Sequence, residues 1–120
     1  MDLLLEVVQV PVADVDRAKA FYTDQVGFIA DHDTQISDEI RVVQLTPPGS
    51  ACSRVIGTGL AEMEPGSLKG LQLTLTDMEA VRAGLIERGV EVSEVQVLGR
   101  EGRPGFKHAH FSDPDGNVWV

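Results

Sequence analysis

The feature that most constrains this chain is that it repeats itself. Residues 7–22, VVQVPVADVDRAKAFY, align with residues 70–85, GLQLTLTDMEAVRAGL, at a constant offset of 63 positions. The offset pairs Gln9 with Gln72, Asp14 with Asp77, Asp16 with Glu79 and Lys19 with Arg82, and it sets Val8, Val10 and Val12 on Leu71, Leu73 and Leu75. A second correspondence, LTPPGS at 45–50 against SDPDGN at 112–117, follows at an offset of 67, the difference being loop length. Two copies are too few for a solenoid, and a chain of 120 residues has room for one hydrophobic core. The repeat therefore predicts one pseudo-two-fold domain over 1–120, with module one at about 1–60 and module two at about 66–120.

Each copy reads as the same supersecondary unit. Its opening segment alternates with period 2, as a strand does, so Val8, Val10 and Val12 share one face while Val7, Gln9 and Pro11 share the other. Asp14 then precedes a helical stripe of Val15, Ala18 and Tyr22, in the position of a residue whose carboxylate caps free backbone N–H groups. Gly27 follows, where a left-handed residue ends a helix. In the second copy Asp77 is the cap, Met78, Val81 and Leu85 are the buried stripe, and Gly89 closes it. Short β-rich stretches come next: 27–33, 41–45 and 51–56 in one copy, 90–97, 107–111 and 118–120 in the other. Pro47-Pro48-Gly49 and Asp113-Pro114-Asp115-Gly116 supply the turns. The unit is βαβββ, twice, an α+β fold.

Composition narrows the function classes. The formal net charge is −9 and no run of Lys or Arg occurs, which excludes the clustered basic surface that nucleic acid or an anionic membrane requires. MDLLLEVVQV lacks the basic start and cleavage site of a signal peptide, and no segment approaches a membrane span. Cys52 is the one cysteine, so no intramolecular disulfide forms and a reducing cytoplasm is expected. No phosphate loop, Cys cluster or Ser-His-Asp context is present.

The ordered set V-x-D-x-x-R-A-x-x-F-Y (Val12 to Tyr22), Q-V-G-F (Gln25 to Phe28), E-R-G-V (Glu87 to Val90) and D-P-D-G-N (Asp113 to Asn117) covers nearly the whole chain. It resembles the vicinal-oxygen-chelate superfamily of glyoxalase, bleomycin-resistance and dioxygenase-like domains. The resemblance implies tandem βαβββ modules forming an open, curled mixed sheet around a cavity, with helices outside. It also implies a homodimer with the cavity at or near the subunit interface. Metal-dependent members chelate a divalent ion with His and Glu or Gln from the first and last strands of each module. Those positions fall here on Val7, Ser53, Gly70 and Val120. None is His, Asp or Glu, so no metal or other cofactor is expected, and the metal-dependent activities of the family become doubtful.

By the strand alternation Val7, Gln9 and Pro11 face the cavity in module one, with Gly70, Gln72 and Thr74 in module two. With Ser53 and Val120, the closing-strand positions that the resemblance implies, the candidate ligand-binding residues are Val7, Gln9, Ser53, Gln72, Thr74 and Val120. Gln9 and Gln72, related by the pseudo-two-fold, either orient a ligand through their amides or satisfy each other and water. His108 and His110, spaced by two on one strand face, are either an ordinary pair or candidate acid–base groups. Cys52 is read as a small core residue and Trp119 as core packing. Arg54 either snorkels to the rim or binds an anionic group. The loop GREGRPG (99–105) is a candidate lid.

The expected function is metal-free binding of a small apolar or aromatic molecule. The alternative is a lyase or isomerase using His108, His110, Gln9 and Gln72 in place of a metal. A third reading is a subunit that partners a related domain, since the last strand stops at Val120, a few residues short of the family's usual run. Either the chain is truncated there or a second chain completes that edge.

Overall fold

The computed structural model describes residues 3, 7–50, 52–58, 63–98 and 106–120. The element order is β1 (Val7–Gln9), α1 (Val15–Ala20) continued by a π-helical turn (Phe21–Val26), β2 (Ile29–Gln35), β3 (Arg41–Thr46) and β4 (Ser53–Thr58). Then come α2 (Met78–Glu87), β5 (Gln96–Leu98), β6 (Phe106–His108), β7 (Phe111–Ser112) and β8 (Val118–Trp119). The mixed sheet curls without closing and the fold is α+β, as expected. The loop 99–105, read as a candidate lid, lies outside the described residues. No helix among the described residues is long and apolar enough to cross a membrane.

The first sheet has the order β1-β4-β3-β2, with β1 parallel to β4 and the other pairs antiparallel. The second half repeats this order in fragments. Leu71 bridges Trp119 in parallel, β8 pairs antiparallel with β7, and Phe111 bridges Val92. Val120 N–H donates to Leu71 O at 2.8 Å, and Leu73 N–H donates to Val120 O at 2.8 Å. The opening segment of each half thus lies beside its own closing strand. Within 90–97 only the end forms β5, paired with β6. Glu91, Ser93 and Glu94 are exposed there, so the stretch has little apolar surface to hold it in a continuous sheet.

The helices begin and end where their chemistry requires. Asp14 accepts from the N–H of Arg17 at 3.0 Å and Asp77 from that of Ala80 at 3.1 Å, each satisfying one of the unpaired first-turn donors. Gly27 and Gly89 follow with φ of 95° and 87°, a conformation that costs a side-chain-bearing residue roughly 1–2 kcal/mol. The π-helical turn is not foreseen from periodicity. It allows Phe21 and Tyr22, adjacent in sequence, to be buried together, beyond the Val15, Ala18, Tyr22 stripe.

One core joins the two halves. Val10, Val43, Leu45 and Ile56 meet α1 and its aromatic end, and Leu85, Val90, Phe111 and Trp119 close it from the second half. Tyr22 stacks on Phe28 and meets Trp119 edge-on, while Phe111 stacks on Trp119. Trp119 is fully buried, as expected for core packing. Two readings at the start of β4 are revised. Arg54 does not snorkel to the rim: it is buried with its guanidinium 5.3 Å from the Trp119 ring centroid. The ring face is the electron-rich surface that attracts a desolvated cation. Cys52 is only half-buried and accepts a hydrogen bond from Arg54 Nη1 at 3.2 Å rather than packing in the core. In α2 the expected buried stripe is likewise incomplete: Leu85 is buried, Met78 is half-buried and Val81 is 39% exposed.

A buried polar knot ties the halves together. The Asp113 carboxylate accepts from the N–H groups of Asp115, Gly116 and Asn117 at 2.9–3.0 Å. Its second oxygen accepts from Tyr22 Oη and Asn117 Nδ2, both at 2.7 Å. Asn117 also donates to Pro11 O at 2.8 Å and accepts from Leu68 N–H at 3.1 Å. Trp119 Nε1 donates to Tyr22 Oη at 3.0 Å. D-P-D-G-N is therefore more than a turn: its side chains satisfy backbone from both modules. Pro11 sits buried under this knot instead of on the open strand face. The link from module one to module two threads beneath it, with Gly66 N–H donating to Pro11 O at 3.1 Å.

Candidate functional site

The two helices differ in what they press against the sheet. At the offset of the repeat, Phe21 and Tyr22 correspond to Gly84 and Leu85. Module one fills its helix–sheet space with two aromatic rings. Module two has a glycine and one leucine there, and α2 is otherwise rich in small residues. A cavity of about 510 Å³ opens between α2 and the second sheet, within the range of small-molecule sites.

Its walls are mostly apolar. Met78, Val81 and Leu85 come from α2, Leu73 and Leu75 from the segment before it, and Val92, Ala109 and Phe111 from the strands opposite. The polar lining is small: Gln72, Thr74, Arg82, Lys107 and His108. Although the chain carries 19 Asp and Glu against 10 Lys and Arg, no carboxylate among the described residues lines this cavity. Arg82 is steadied by a 2.8 Å bond from Nε to Ser93 O. Lys107 stands 3.6 Å from Glu79 in a pair whose members are both more than half exposed, a contact worth at most about 1 kcal/mol. His108 Nε2 is buried and has no hydrogen-bond partner among the described residues. Leaving such a group unpaired costs roughly 1–3 kcal/mol.

Of the six ligand residues expected from sequence, Gln72, Thr74 and Val120 line this cavity. Val7 and Gln9 lie on β1, where Gln9 joins an in-register row with Val55, Gln44 and His32 across the first sheet. Ser53 pairs with Val7 across the β1–β4 ladder. Gln72 lines this cavity, and Gln9 is not among the described residues that line it. His108 and His110 are adjacent, with ring centroids 5.3 Å apart and planes at 89°. His108 lines the large cavity and His110 a second cleft of about 470 Å³ beside Phe21 and Gln25. Val81, Arg82 and Lys107 were not expected at the site. The signal that could have found the α2 wall is the loss of ring volume at Gly84 and Leu85 relative to the first copy.

The family's metal positions carry no donor set. Val7, Gly70 and Val120 have no ligating side-chain atom, and one serine hydroxyl does not hold a divalent ion. Among the described residues no group of three His, Cys, Asp or Glu side chains could do so elsewhere. The residues present do not fit the metal.

The strongest electrostatic pinning lies away from the cavity. Hydrogen bonds from Arg41 and then Lys19 hold the Asp33 carboxyl well below the usual carboxylate range, and Arg41 also reaches Asp16 at 2.7 Å. This cluster fastens α1 to β2 and β3. Burial, followed by the charge of Asp113, pushes the Tyr22 phenol far above its ordinary value, which keeps it a hydrogen-bond donor in the knot.

Comparison with known proteins agrees with this architecture. The crystal structure of TnmS3, an antibiotic binding protein from Streptomyces sp. CB03234, is 40% identical with a TM-score of 0.81, over 98% of this chain and 93% of that one. A glyoxalase/bleomycin resistance protein from the same organism is 41% identical with a TM-score of 0.76, over 95% of each chain. A superfamily member from Sphaerobacter thermophilus DSM 20745 is 28% identical with a TM-score of 0.84, over 98% of this chain and 94% of that one. A search of curated proteins returned no match. The profile of the Glyoxalase/Bleomycin resistance protein/Dioxygenase superfamily matches residues 4–120, and the chain belongs to that superfamily.

Proposed function

We propose that this protein binds a small, largely apolar or aromatic molecule in the cavity under α2 and sequesters it without chemistry at a metal. The observation that carries the reading is the cavity itself, about 510 Å³ with apolar walls and a few polar groups at one side. Its walls include Leu75 and Val81, 40% and 39% exposed, apolar surface that a bound ligand would remove from water. The resemblance to TnmS3, which is an antibiotic binding protein, supports the same class of role. The test is a titration with N-phenyl-1-naphthylamine, a neutral probe that brightens in apolar surroundings. Saturable binding at one probe per cavity is expected, and the absence of any saturable binding would overturn the reading.

The protein acts as a homodimer in this proposal. Gln9 and every residue of β2 are exposed in the single chain. The radius of gyration is 15.7 Å, against about 13.6 Å for a compact chain of this length. Both features suit a surface covered by a second copy. Sedimentation equilibrium should give twice the chain mass at micromolar concentration, and a strict monomer would contradict it.

A further inference from the structure

We propose that residues 74–81, the lead-in and first turn of α2, form a flap over the cavity that opens to admit the ligand when the ion pair between Glu79 and Lys107 parts. This rests on the reading of the cavity as a ligand site and adds the route by which the site fills. The flap is the stretch of chain between two fixed points. At one end Leu73 N–H donates to Val120 O at 2.8 Å. At the other, Arg82 Nε donates to Ser93 O at 2.8 Å, and Leu85 is buried just beyond it. The far end of α2 is held again, where Arg88 Nε donates to Gln25 O at 2.7 Å and Gln25 Nε2 to Arg88 O at 3.1 Å.

Between those points little holds the chain down. Every residue from Thr74 to Val81 is exposed except Met78, which is half-buried. Thr74, Leu75, Met78 and Val81 nonetheless line the cavity, so one wall of it is made of residues that bury little surface of their own. A segment with few buried apolar contacts opens locally at low cost. Asp77 accepts from Ala80 N–H through its carboxylate and from Val81 N–H through its carbonyl, both at 3.1 Å, so the first turn of α2 keeps its own bonds as it moves. Among the described residues one polar contact joins the flap to the wall opposite, from Lys107 Nζ of β6 to Glu79 Oε1 at 3.6 Å. Both side chains are more than half exposed, which puts the pair on the solvent side of the gap between α2 and β6. It biases the flap toward closure by a factor of about five at most, which thermal motion overcomes.

The experiment follows entry and exit of N-phenyl-1-naphthylamine by stopped-flow fluorescence in the full chain, in Glu79→Gln and in Glu87→Gln, an equal loss of charge at the other end of α2. The probe is neutral, so removing a carboxylate acts on it only through the protein. A ligand that enters through a minor open state associates in proportion to that state's population, and it leaves in proportion to reopening. Glu79→Gln should therefore raise the association and dissociation rate constants together, each by about two- to fivefold, with Kd held within about twofold. Glu87→Gln should change neither. Glu79 and Glu87 are both exposed, so the two variants keep the fold. Unchanged rates in Glu79→Gln, a rise in dissociation alone, or an equal rise in Glu87→Gln would overturn the flap while leaving the cavity as a binding site. No saturable binding of the probe to the parent chain would overturn both.

Discussion

Replacing Tyr22 by Phe removes one oxygen from the knot that joins the modules, and the cost follows from what that oxygen touches. It donates to Asp113 Oδ2 at 2.7 Å and accepts from Trp119 Nε1 at 3.0 Å. The carboxylate keeps its four other donors, from the backbone of Asp115, Gly116 and Asn117 and from Asn117 Nδ2. Trp119 is fully buried, so its indole N–H is stranded. An orphaned buried donor costs roughly 1–3 kcal/mol and a bond to a charged acceptor about 1.5–3 kcal/mol. The ring itself stays, stacked on Phe28. Tyr22→Phe should therefore destabilise the protein by about 3 kcal/mol, read by urea denaturation at neutral pH. The penalty should also shrink at high pH. The folded-state value of the phenol is raised, by burial first and Asp113 next. A group raised in this way contributes fully below its unfolded value, about 10, and loses that contribution at roughly 1.4 kcal/mol per pH unit as pH climbs toward the folded value. Parent and variant curves should converge above pH 10. A cost under about 1 kcal/mol, or parallel curves to pH 11, would refute the account of the knot.

Other consequences are more local. Gly66→Ala should destabilise by at least about 2 kcal/mol in the same assay, because φ is +80° and the added carbon would lie 2.0 Å from Asp115 O; a neutral result would mean the link does not pack under the knot. Asp33 is depressed by Arg41 and Lys19, so its contribution is present above the unfolded carboxylate value and fades as pH falls toward the lower folded one. Asp33→Asn should cost less than about 1 kcal/mol at pH 7 and should flatten the acid limb below pH 4, measured by thermal melts across pH 2–5. Leu85→Trp restores ring volume at the position that corresponds to Tyr22 and should abolish probe binding without loss of melting temperature. Undiminished binding by that variant would move the site away from α2.

Much of the fold was legible because it follows from local chemistry. Asp14 and Asp77 announce helix starts, Gly27 and Gly89 announce ends, and each does so within a few residues of chain. The repeat extends this to topology, since a shared unit places its opening segment beside its closing strand in both halves. What was less legible depends on contacts across the repeat. Arg54 reads as a misplaced polar residue until Trp119, from the other module, appears beneath it. Pro11 reads as a strand residue facing the cavity, yet Asn117 and Gly66 both donate to its carbonyl and it is buried at the knot. The cavity is a matter of missing volume, and alternation identifies faces without saying how well they are filled. It brought Gln72 and Thr74 onto the list, and the family resemblance Val120, but Val81, Arg82 and Lys107 belong to the site through the gap left beside Leu85.

The central claim is that a ligand enters the space under α2. Methyl-resolved NMR on protein labelled at Leu and Val, titrated with N-phenyl-1-naphthylamine, tests it most directly. Shifts should concentrate on Leu73, Leu75, Val81, Leu85, Val92 and Val120, with Val7, Val42 and Val55 little changed. Shifts confined to those three valines of the first sheet, or none at saturating probe, would contradict the account.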